Sequence, residues 1–140
     1  MSSGTYEHTM DAKNRIIIPQ KLREELGSVL HACKGFDHCI YIFETEGWEK
    51  FRSKLEGLSM TNPKARKVKR IFLGSAKELE MDKQGRIVLD PTLRKHADIT
   101  KDIVIVGMGD YLEVWDRDTY YDMNGDDDMD ELVAEAGIEF

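Results

Sequence analysis

The chain has 140 residues, of which 41% are hydrophobic and 34% are charged, and its formal net charge at pH 7 is −7. This length suits one domain, or two small units that share a core, and excludes a separate catalytic domain. No apolar run approaches the roughly 20 residues that span a bilayer, and the first four residues lack the features of a signal peptide. We therefore expect a cytoplasmic globular protein that makes no membrane contact.

The negative charge is concentrated near the end of the sequence. Residues 122–140 hold eight acidic side chains and no basic one, which leaves 19 acidic against 20 basic residues before Asp122. Attraction to the phosphates of nucleic acids comes from Lys and Arg, so the net charge alone argues against a DNA-binding protein. The nearly neutral body still permits a local basic patch, and DNA binding stays open.

An internal repeat organises the chain. Residues 7–23 align with 78–94 at a shift of 71, and seven of the 17 positions are identical, where chance would give about one. A weaker match at a shift of 72 continues as far as Trp48 and Tyr120. The repeat predicts two copies of one unit, at 5–48 and 77–120, with a connector at 49–73 and an acidic tail at 121–140.

Each unit begins with two strands joined by a tight turn. In the first unit, residues 5–10 and the β-branched run at 15–18 are expected to pair as a hairpin around a turn at 11–14. Asn14 aligns with Gly85, and both residue types tolerate the positive φ that a tight turn requires. Asp11 and Asp82 open the two turns, where a short carboxylate can accept backbone N–H bonds.

A short helix and two more strands complete each unit. Pro19 and Pro91 suit the first turn of a helix, and Asp90 is a ready N-cap in the second unit. We expect the first helix to include residues 22–26 and to stop at Gly27. The further strands are expected near 29–32 and 39–43, and near 103–106 and 111–115.

The connector is predicted to be a helical hairpin. Residues 48–58 and 62–73 each carry apolar residues at helical spacing. The second helix is basic, with Lys64, Arg66, Lys67, Lys69 and Arg70. A solvated surface or inter-subunit salt bridges are the favoured interpretation of this charge, and DNA contact is the second.

The tail admits two interpretations. Met129, Leu132, Val133 and Ala136 lie at helical spacing, which predicts a short amphipathic helix that docks on a neighbouring subunit. Disorder is the alternative, because few apolar residues are present to offset the entropy of ordering.

Residues 31–39 contain ligand types that zinc prefers. His31 and Cys33 would share one face of a strand, but the adjacent His38 and Cys39 would point to opposite faces, so at least one ligand would be lost. We favour ordinary half-buried strand residues and predict no metal and no cofactor. A metal-dependent hydrolase is the least favoured function, because nothing else supplies an oriented base, and we expect no enzyme.

The two turns carry the residues with the most functional interest. Their shared pattern, D-x-x-[N/G]-R, places Arg15 and Arg86 just past a turn tip. One interpretation is internal: each arginine pairs with the aspartate that opens its turn. The other is DNA contact, in which arginine bonds guanine and lysine and backbone N–H groups hold phosphates. The residues proposed for this contact are Lys13, Asn14, Arg15, Lys83, Gln84 and Arg86.

Longer segments resemble a known family. Y-E-H-T-M-D-A-K-N-R-I-I-I-P-Q-K-L-R-E-E-L-G, K-G-F-D-H-C-I-Y-I-F, G-S-A-K-E-L-E-M-D-K-Q-G-R-I and V-G-M-G-D-Y-L-E-V-W-D are similar to MraZ, a bacterial transcriptional regulator built from two SpoVT-AbrB-type units. The resemblance extends to about Tyr121. It implies an α+β, mainly β fold: two tandem units that form a swapped-hairpin, double-psi-like β-barrel, with the helical hairpin between them.

The resemblance also implies a function. A MraZ protein would be a nucleoid-associated, sequence-specific regulator, expected here to be a repressor, of the division and cell-wall gene cluster that includes its own promoter. It would form a ring-shaped homo-oligomer that binds direct repeats in double-stranded DNA. Asp11, Arg15, Asp82 and Arg86 occupy the family's motif positions, whereas Asn14 stands where glycine is usual. The alternative is an oligomeric protein-interaction hub that acts through the acidic tail.

Overall fold

The computed structural model describes residues 2–140. Its strands are β1 (Thr5–Thr9), β2 (Arg15–Ile17), β3 (Val29–Lys34), β4 (Ile40–Glu44), β5 (Lys77–Glu80), β6 (Arg86–Val88), β7 (Asp102–Gly107) and β8 (Leu112–Asp116). Its α-helices are α1 (Gln20–Arg23), α2 (Thr45–Glu56), α3 (Pro63–Ser75), α4 (Pro91–His96), α5 (Arg117–Asn124) and α6 (Met129–Glu135). A 3₁₀ turn covers Phe36–His38.

A six-stranded antiparallel sheet carries most of the strands within residues 2–140, in the order β1-β7-β8-β4-β3-β5. β1 of the first unit pairs with β7 of the second, and Thr5 lies opposite Val106. β5 of the second unit pairs with β3 of the first, and Val29 lies opposite Glu80. Each unit therefore gives its first strand to the other unit's side of the sheet, and neither unit has a sheet of its own.

The prediction that residues 5–10 and 15–18 pair with each other as a hairpin is wrong. β2 pairs with β6 of the second unit in a separate two-stranded ribbon, with Ile16 opposite Ile87. The physical reason is burial. These two side chains are 0% and 1% exposed, and pairing the two copies lets both bury the same apolar face over the large sheet.

Two apolar clusters hold these layers together. The first joins the ribbon, α1, α4 and one face of the large sheet, with Leu22 and Leu93 as equivalent anchors from the two short helices. The second is rich in aromatic side chains and joins α2 and α3 to the sheet through Phe43, Trp48 and Phe72. Fully burying one such side chain stabilises the fold by about 1.5–3 kcal/mol.

The fold is α+β, as expected, and its strand pairs are antiparallel. The expectation of a mainly β chain is not met, because the α-helices of residues 2–140 cover more residues than the strands do. No closed barrel is found in residues 2–140, because β1 and β5 form the two edges of the large sheet and the ribbon is a separate sheet. The predicted swapped-hairpin barrel is therefore not present as a closed barrel.

Most helices lie near their predicted positions. The helical hairpin of the connector is confirmed, with α2 beginning three residues earlier than expected. Asn62 caps α3, because its Oδ1 accepts N–H bonds from Lys64 at 2.9 Å and Ala65 at 3.2 Å. The prediction for α1 is wrong in its bounds, since the helix covers Gln20–Arg23 and only irregular turns follow.

The end of the chain holds two helices. α5 was not predicted, although it aligns with the start of α2 at the repeat shift of 72. α6 gives the helical alternative for the tail, and Asp128 caps it by accepting the Glu131 N–H at 3.2 Å. Among the helices of residues 2–140, none has the length and apolar character that crossing a membrane requires.

Candidate nucleic-acid interface

The first turn is closed by the carboxylate of Asp11. Its Oδ1 accepts N–H bonds from Lys13 and Arg15, each at 2.9 Å. The Asn14 N–H donates to the Asp11 carbonyl oxygen at 3.0 Å, and Asn14 has a φ of 60°. The short carboxylate satisfies the amides of the turn and fixes the direction in which residue 15 leaves it.

The second turn repeats this geometry. Asp82 Oδ1 accepts N–H bonds from Gln84 and Arg86, each at 2.9 Å. The Gly85 N–H donates to the Asp82 carbonyl oxygen at 2.9 Å, and Gly85 has a φ of 80°. The internal repeat of the sequence is thus also a repeat of hydrogen bonds.

Each aspartate also binds the arginine that follows its turn. Arg15 Nε donates to Asp11 Oδ2 at 2.7 Å, and Arg86 Nε donates to Asp82 Oδ2 at 2.7 Å. The internal pairing considered from the sequence is therefore present. It uses Nε, and within residues 2–140 the Nη groups of Arg15 donate no hydrogen bond. The outer edge of that guanidinium is left for a bidentate contact.

These bonds keep both carboxylates charged. The backbone N–H of Arg15, then its side chain, holds the pKa of Asp11 below its ordinary value. The backbone N–H and side chain of Arg86 lower the pKa of Asp82 in the same way. Both ion pairs are consequently formed at neutral pH, and each arginine is oriented before any ligand arrives.

The ribbon sets the relation between the two arginines. Arg15 lies opposite Val88, and Ile17 lies opposite Arg86. Alternate residues of a strand point the same way, so these four side chains share one face. Ile17 is 42% exposed and Val88 is 53% exposed. The outer face of the ribbon therefore presents two arginines on one diagonal and two apolar side chains on the other.

The predicted contact residues form two groups, one at each end of the ribbon. The Asn14 carbonyl oxygen accepts the Leu89 N–H at 2.9 Å, and the Gly85 carbonyl oxygen accepts the Ile18 N–H at 2.8 Å. The turn tips are thus four residues apart along the ribbon, or roughly 13 Å. Lys13, Asn14 and Arg15 lie at one end and Lys83, Gln84 and Arg86 at the other, with the two lysines and Gln84 exposed.

Two further arginines beside the turns were not predicted. Arg23 of α1 packs on Gly85, with its Cδ and Nη1 2.5 Å from where a Cβ would stand. Its Nε is a buried donor that has no hydrogen-bond partner within residues 2–140. Arg94 of α4 donates from Nε to the Leu89 carbonyl oxygen at 3.0 Å, close to Asn14. The two arginines occupy equivalent positions of the repeat, 71 residues apart. Their identity in the alignment of the two units could have indicated that both matter.

The histidines and cysteines of residues 31–39 are used in packing. Both thiols are buried, and burial raises the pKa of Cys33 to about 12. His31 stacks on Trp48 and shares a hydrogen bond with Thr45 Oγ1 at 3.2 Å. Among residues 2–140, no group of three or more His, Cys, Asp and Glu side chains is arranged to hold a metal ion.

Comparison with protein families matches both halves of the chain. The family model described as "MraZ protein, putative antitoxin-like" matches residues 1–71 and, again, residues 72–135. The chain belongs to the MraZ family. Each match contains one Asp-x-x-x-Arg turn, so the two MraZ matches follow the repeat that the sequence and the hydrogen bonds define.

Curated relatives match this chain over nearly its whole length. A protein of Clostridium tetani is 44% identical over 142 residues, which cover 99% of this chain and 100% of that protein. A Thermoanaerobacter protein is 42% identical over 136 residues, covering 96% and 95%. A Carboxydothermus hydrogenoformans protein is 41% identical over 141 residues, covering 100% and 99%. Each is named "Transcriptional regulator MraZ".

Proposed function

We propose that the chain is a sequence-specific, DNA-binding transcriptional regulator whose contact surface is the β2–β6 ribbon with its two turns. The observation that carries this proposal is the pair of oriented arginines: Arg15 and Arg86 are each held through Nε by an aspartate. A guanidinium fixed in this way loses little conformational freedom when it bonds the O6 and N7 atoms of guanine. The names of the curated relatives support the same class of function.

The remaining side chains of the ribbon suit a major-groove surface. Lys13 and Lys83 are exposed at the turn tips, where they would contact phosphates and set the register on the duplex. Ile17 and Val88 lie exposed between the arginines, and apolar side chains in such a position contact the C5-methyl group of thymine. The ribbon would thus combine positioning contacts with base contacts.

The size of the surface calls for several copies. A separation of roughly 13 Å between turn tips spans about four base pairs at 3.4 Å per step. That is short for a whole operator, so we propose a homo-oligomeric ring that presents its ribbons to direct repeats. Within one chain, β1 pairs with β7 and β5 pairs with β3, and this exchange of first strands supports the proposal that the two units swap their hairpins.

We further propose that the target is the division and cell-wall gene cluster, including the chain's own promoter, and that the effect is repression by a cytoplasmic, nucleoid-associated protein. This proposal assigns no catalytic role to any residue. The protein-interaction hub is the second candidate, favoured by the exposure of Met129 and Leu132 on α6.

The test measures the affinity of the protein for a promoter fragment from upstream of its gene at a series of salt concentrations. A fragment of scrambled sequence serves as the control for specificity. We expect specific binding that weakens as salt rises. Arg15→Ala and Arg86→Ala should each weaken specific binding by roughly 10- to 100-fold, because each removes one bidentate base contact.

Arg52→Ala is the matched control for these variants. Arg52 lies on α2 and is also bound by carboxylates, with Glu49 at 2.7 Å and Glu56 at 3.0 Å, but α2 packs in the aromatic cluster, whereas the ribbon packs in the other cluster. Its loss should leave DNA affinity unchanged. Equal affinity of the parent, Arg15→Ala and Arg86→Ala proteins for the promoter would refute the proposed surface. Equal, weak binding to both fragments would favour the hub.

A further inference from the structure

α6 is an amphipathic helix that stays mostly exposed on its own chain, with Val133 alone half-buried among its residues. None of its residues is buried, and its apolar residues include Met129, which is 73% exposed, and Leu132, which is 48% exposed. A helix of seven residues is marginal in water unless an apolar face packs on something. The segment 126–139 that contains it holds seven acidic side chains and no basic one.

α3 presents a face with the opposite character. It packs on the sheet through Phe72 and Ser75, and the neighbouring Val68 and Ile71 remain 38% and 48% exposed at the edge of that packed face. Residues 64–70 contain five basic side chains and no acidic one. Within residues 2–140 none of these five forms an ion pair, although Arg66 donates to the Met60 carbonyl oxygen at 2.9 Å.

The same face allows close approach. Ile71 and Gly74 are three residues apart on α3, so they lie on one side of the helix. A Cβ added to Gly74 would meet no atom within 4 Å, which leaves open space beside the exposed isoleucine. A second helix can therefore pack closely there, with basic side chains on its flanks.

We propose that α6 of one copy docks on α3 of a second copy of this chain. Apolar side chains at 129 and 132 would cover Val68 and Ile71, while the acidic residues around them would pair with the lysines and arginines of α3. Charge complementarity selects this occupant, since the acidic tail is the one strongly acidic segment that the sequence itself supplies. The inference rests on the homo-oligomer of the proposed function and names its contact.

The positions of the two helices explain why the partner is another copy. α5, which leads into α6, packs on β7 and β8, whereas α3 packs on β3. β7 and β8 lie on one side of β4 in the sheet order and β3 lies on the other side, and α2 packs over β4 and β3. A contact between two different surfaces of the same chain is heterologous when it joins two copies, and such contacts build rings when the rotation closes.

Charge reversal tests the contact in the full chain. Lys67→Glu with Arg70→Glu should weaken self-association roughly tenfold, as measured by sedimentation velocity, because several modest ion pairs are lost together. Glu131→Lys with Glu135→Lys should do the same, and the four substitutions combined should restore association. Lys50→Glu with Lys54→Glu on α2 is the matched control and should leave the mass unchanged. Unchanged association in both reversed variants overturns the inference.

Cross-linking identifies which chain is the partner. A Val68→Cys chain mixed with a Leu132→Cys chain should give a disulfide-linked pair on a denaturing gel, whereas the parent chain, whose own thiols are buried, should not. A chain carrying both substitutions that stays monomeric but oxidises would place α6 on its own α3 and overturn the proposal. A parent that is monomeric at all concentrations would overturn it as well, while DNA binding by the ribbon would still be judged by the Arg15 and Arg86 variants.

Discussion

The two turns share their aspartate-centred hydrogen bonds, and the second turn adds one from Arg86 Nη2 to Gln84 Oε1 at 3.3 Å; they differ further in what surrounds them. In both, an aspartate accepts two backbone N–H bonds and holds an arginine Nε at 2.7 Å. The tip residue is Asn14 in one and Gly85 in the other, both at positive φ. Arg23 occupies the space of a side chain at Gly85, whereas Asn14 carries a side chain of its own.

This difference distinguishes two requirements on a turn sequence: the hydrogen bonds that close the turn, and the space available to the tip residue. The aspartate and the arginine set the hydrogen bonds of the turn. The neighbouring helix sets the residue allowed at the tip, because Arg23 covers Gly85 while its repeat counterpart Arg94 donates instead to the Leu89 carbonyl oxygen. Glycine at 85 is therefore explained by packing as well as by φ.

The largest difference between the turns is expected from alanine at the tips. Gly85→Ala should cost about 1–3 kcal/mol, since a Cβ is strained at positive φ and displaces Arg23. Asn14→Ala should cost about 1 kcal/mol, from the backbone alone. Urea unfolding of both variants measures this, with Asn14→Gly as the control expected to lie within about 0.5 kcal/mol of the parent. Equal costs at 14 and 85 would show that Arg23 simply moves aside.

A smaller effect should distinguish the helices that follow the turns. Asp90 Oδ2 accepts the Thr92 N–H at 2.9 Å and caps α4, whereas α1 has no side-chain cap. Asp90→Ala should lower the free energy of unfolding by about 1 kcal/mol. Asp127→Ala, which removes an exposed carboxylate from the tail, is the control. A loss of stability no larger than the control's would mean that the cap contributes nothing.

The smallest effect is expected on acidification, and it should have the same sign in the two turns. Asp11 and Asp82 have pKa values below the ordinary 3.8 in the folded chain, so their contribution to stability is complete above pH 3.8. It is lost as the pH falls through the lowered values. Carboxyl NMR titration of the parent and of Asp11→Asn and Asp82→Asn assigns the two resonances. A midpoint above 3.8 for either residue would contradict the bonding described.

The local parts of this fold were predictable because they depend on neighbours in sequence. A β-branched run after Asp11 and the Asn14–Gly85 alignment indicate a strand and a turn without reference to the rest of the chain. Strand partners are different. Alternation tells which face of β2 is buried but not which strand lies beside it, so the pairing of β2 with β6 was missed.

The same distinction holds for the candidate interface. Arg15 and Arg86 are visible in the motif, whereas the exposed pair Ile17 and Val88 becomes a feature only once the register sets them beside the arginines. Arg23 was visible as a repeated residue, but its packing on Gly85 depends on α1 of one unit reaching the turn of the other.

The exchange of first strands has a consequence for synthesis. Thr5 pairs with Val106, so β1 leaves the ribosome about 100 residues before its partner, a wait of roughly 5 to 20 seconds at usual elongation rates. During that interval the nascent chain displays an unpaired strand edge, and neighbouring chains on the same messenger carry the identical edge. Rapid translation would shorten this exposure, and slow codons before β7 would lengthen it and favour exchange of strands between separate chains.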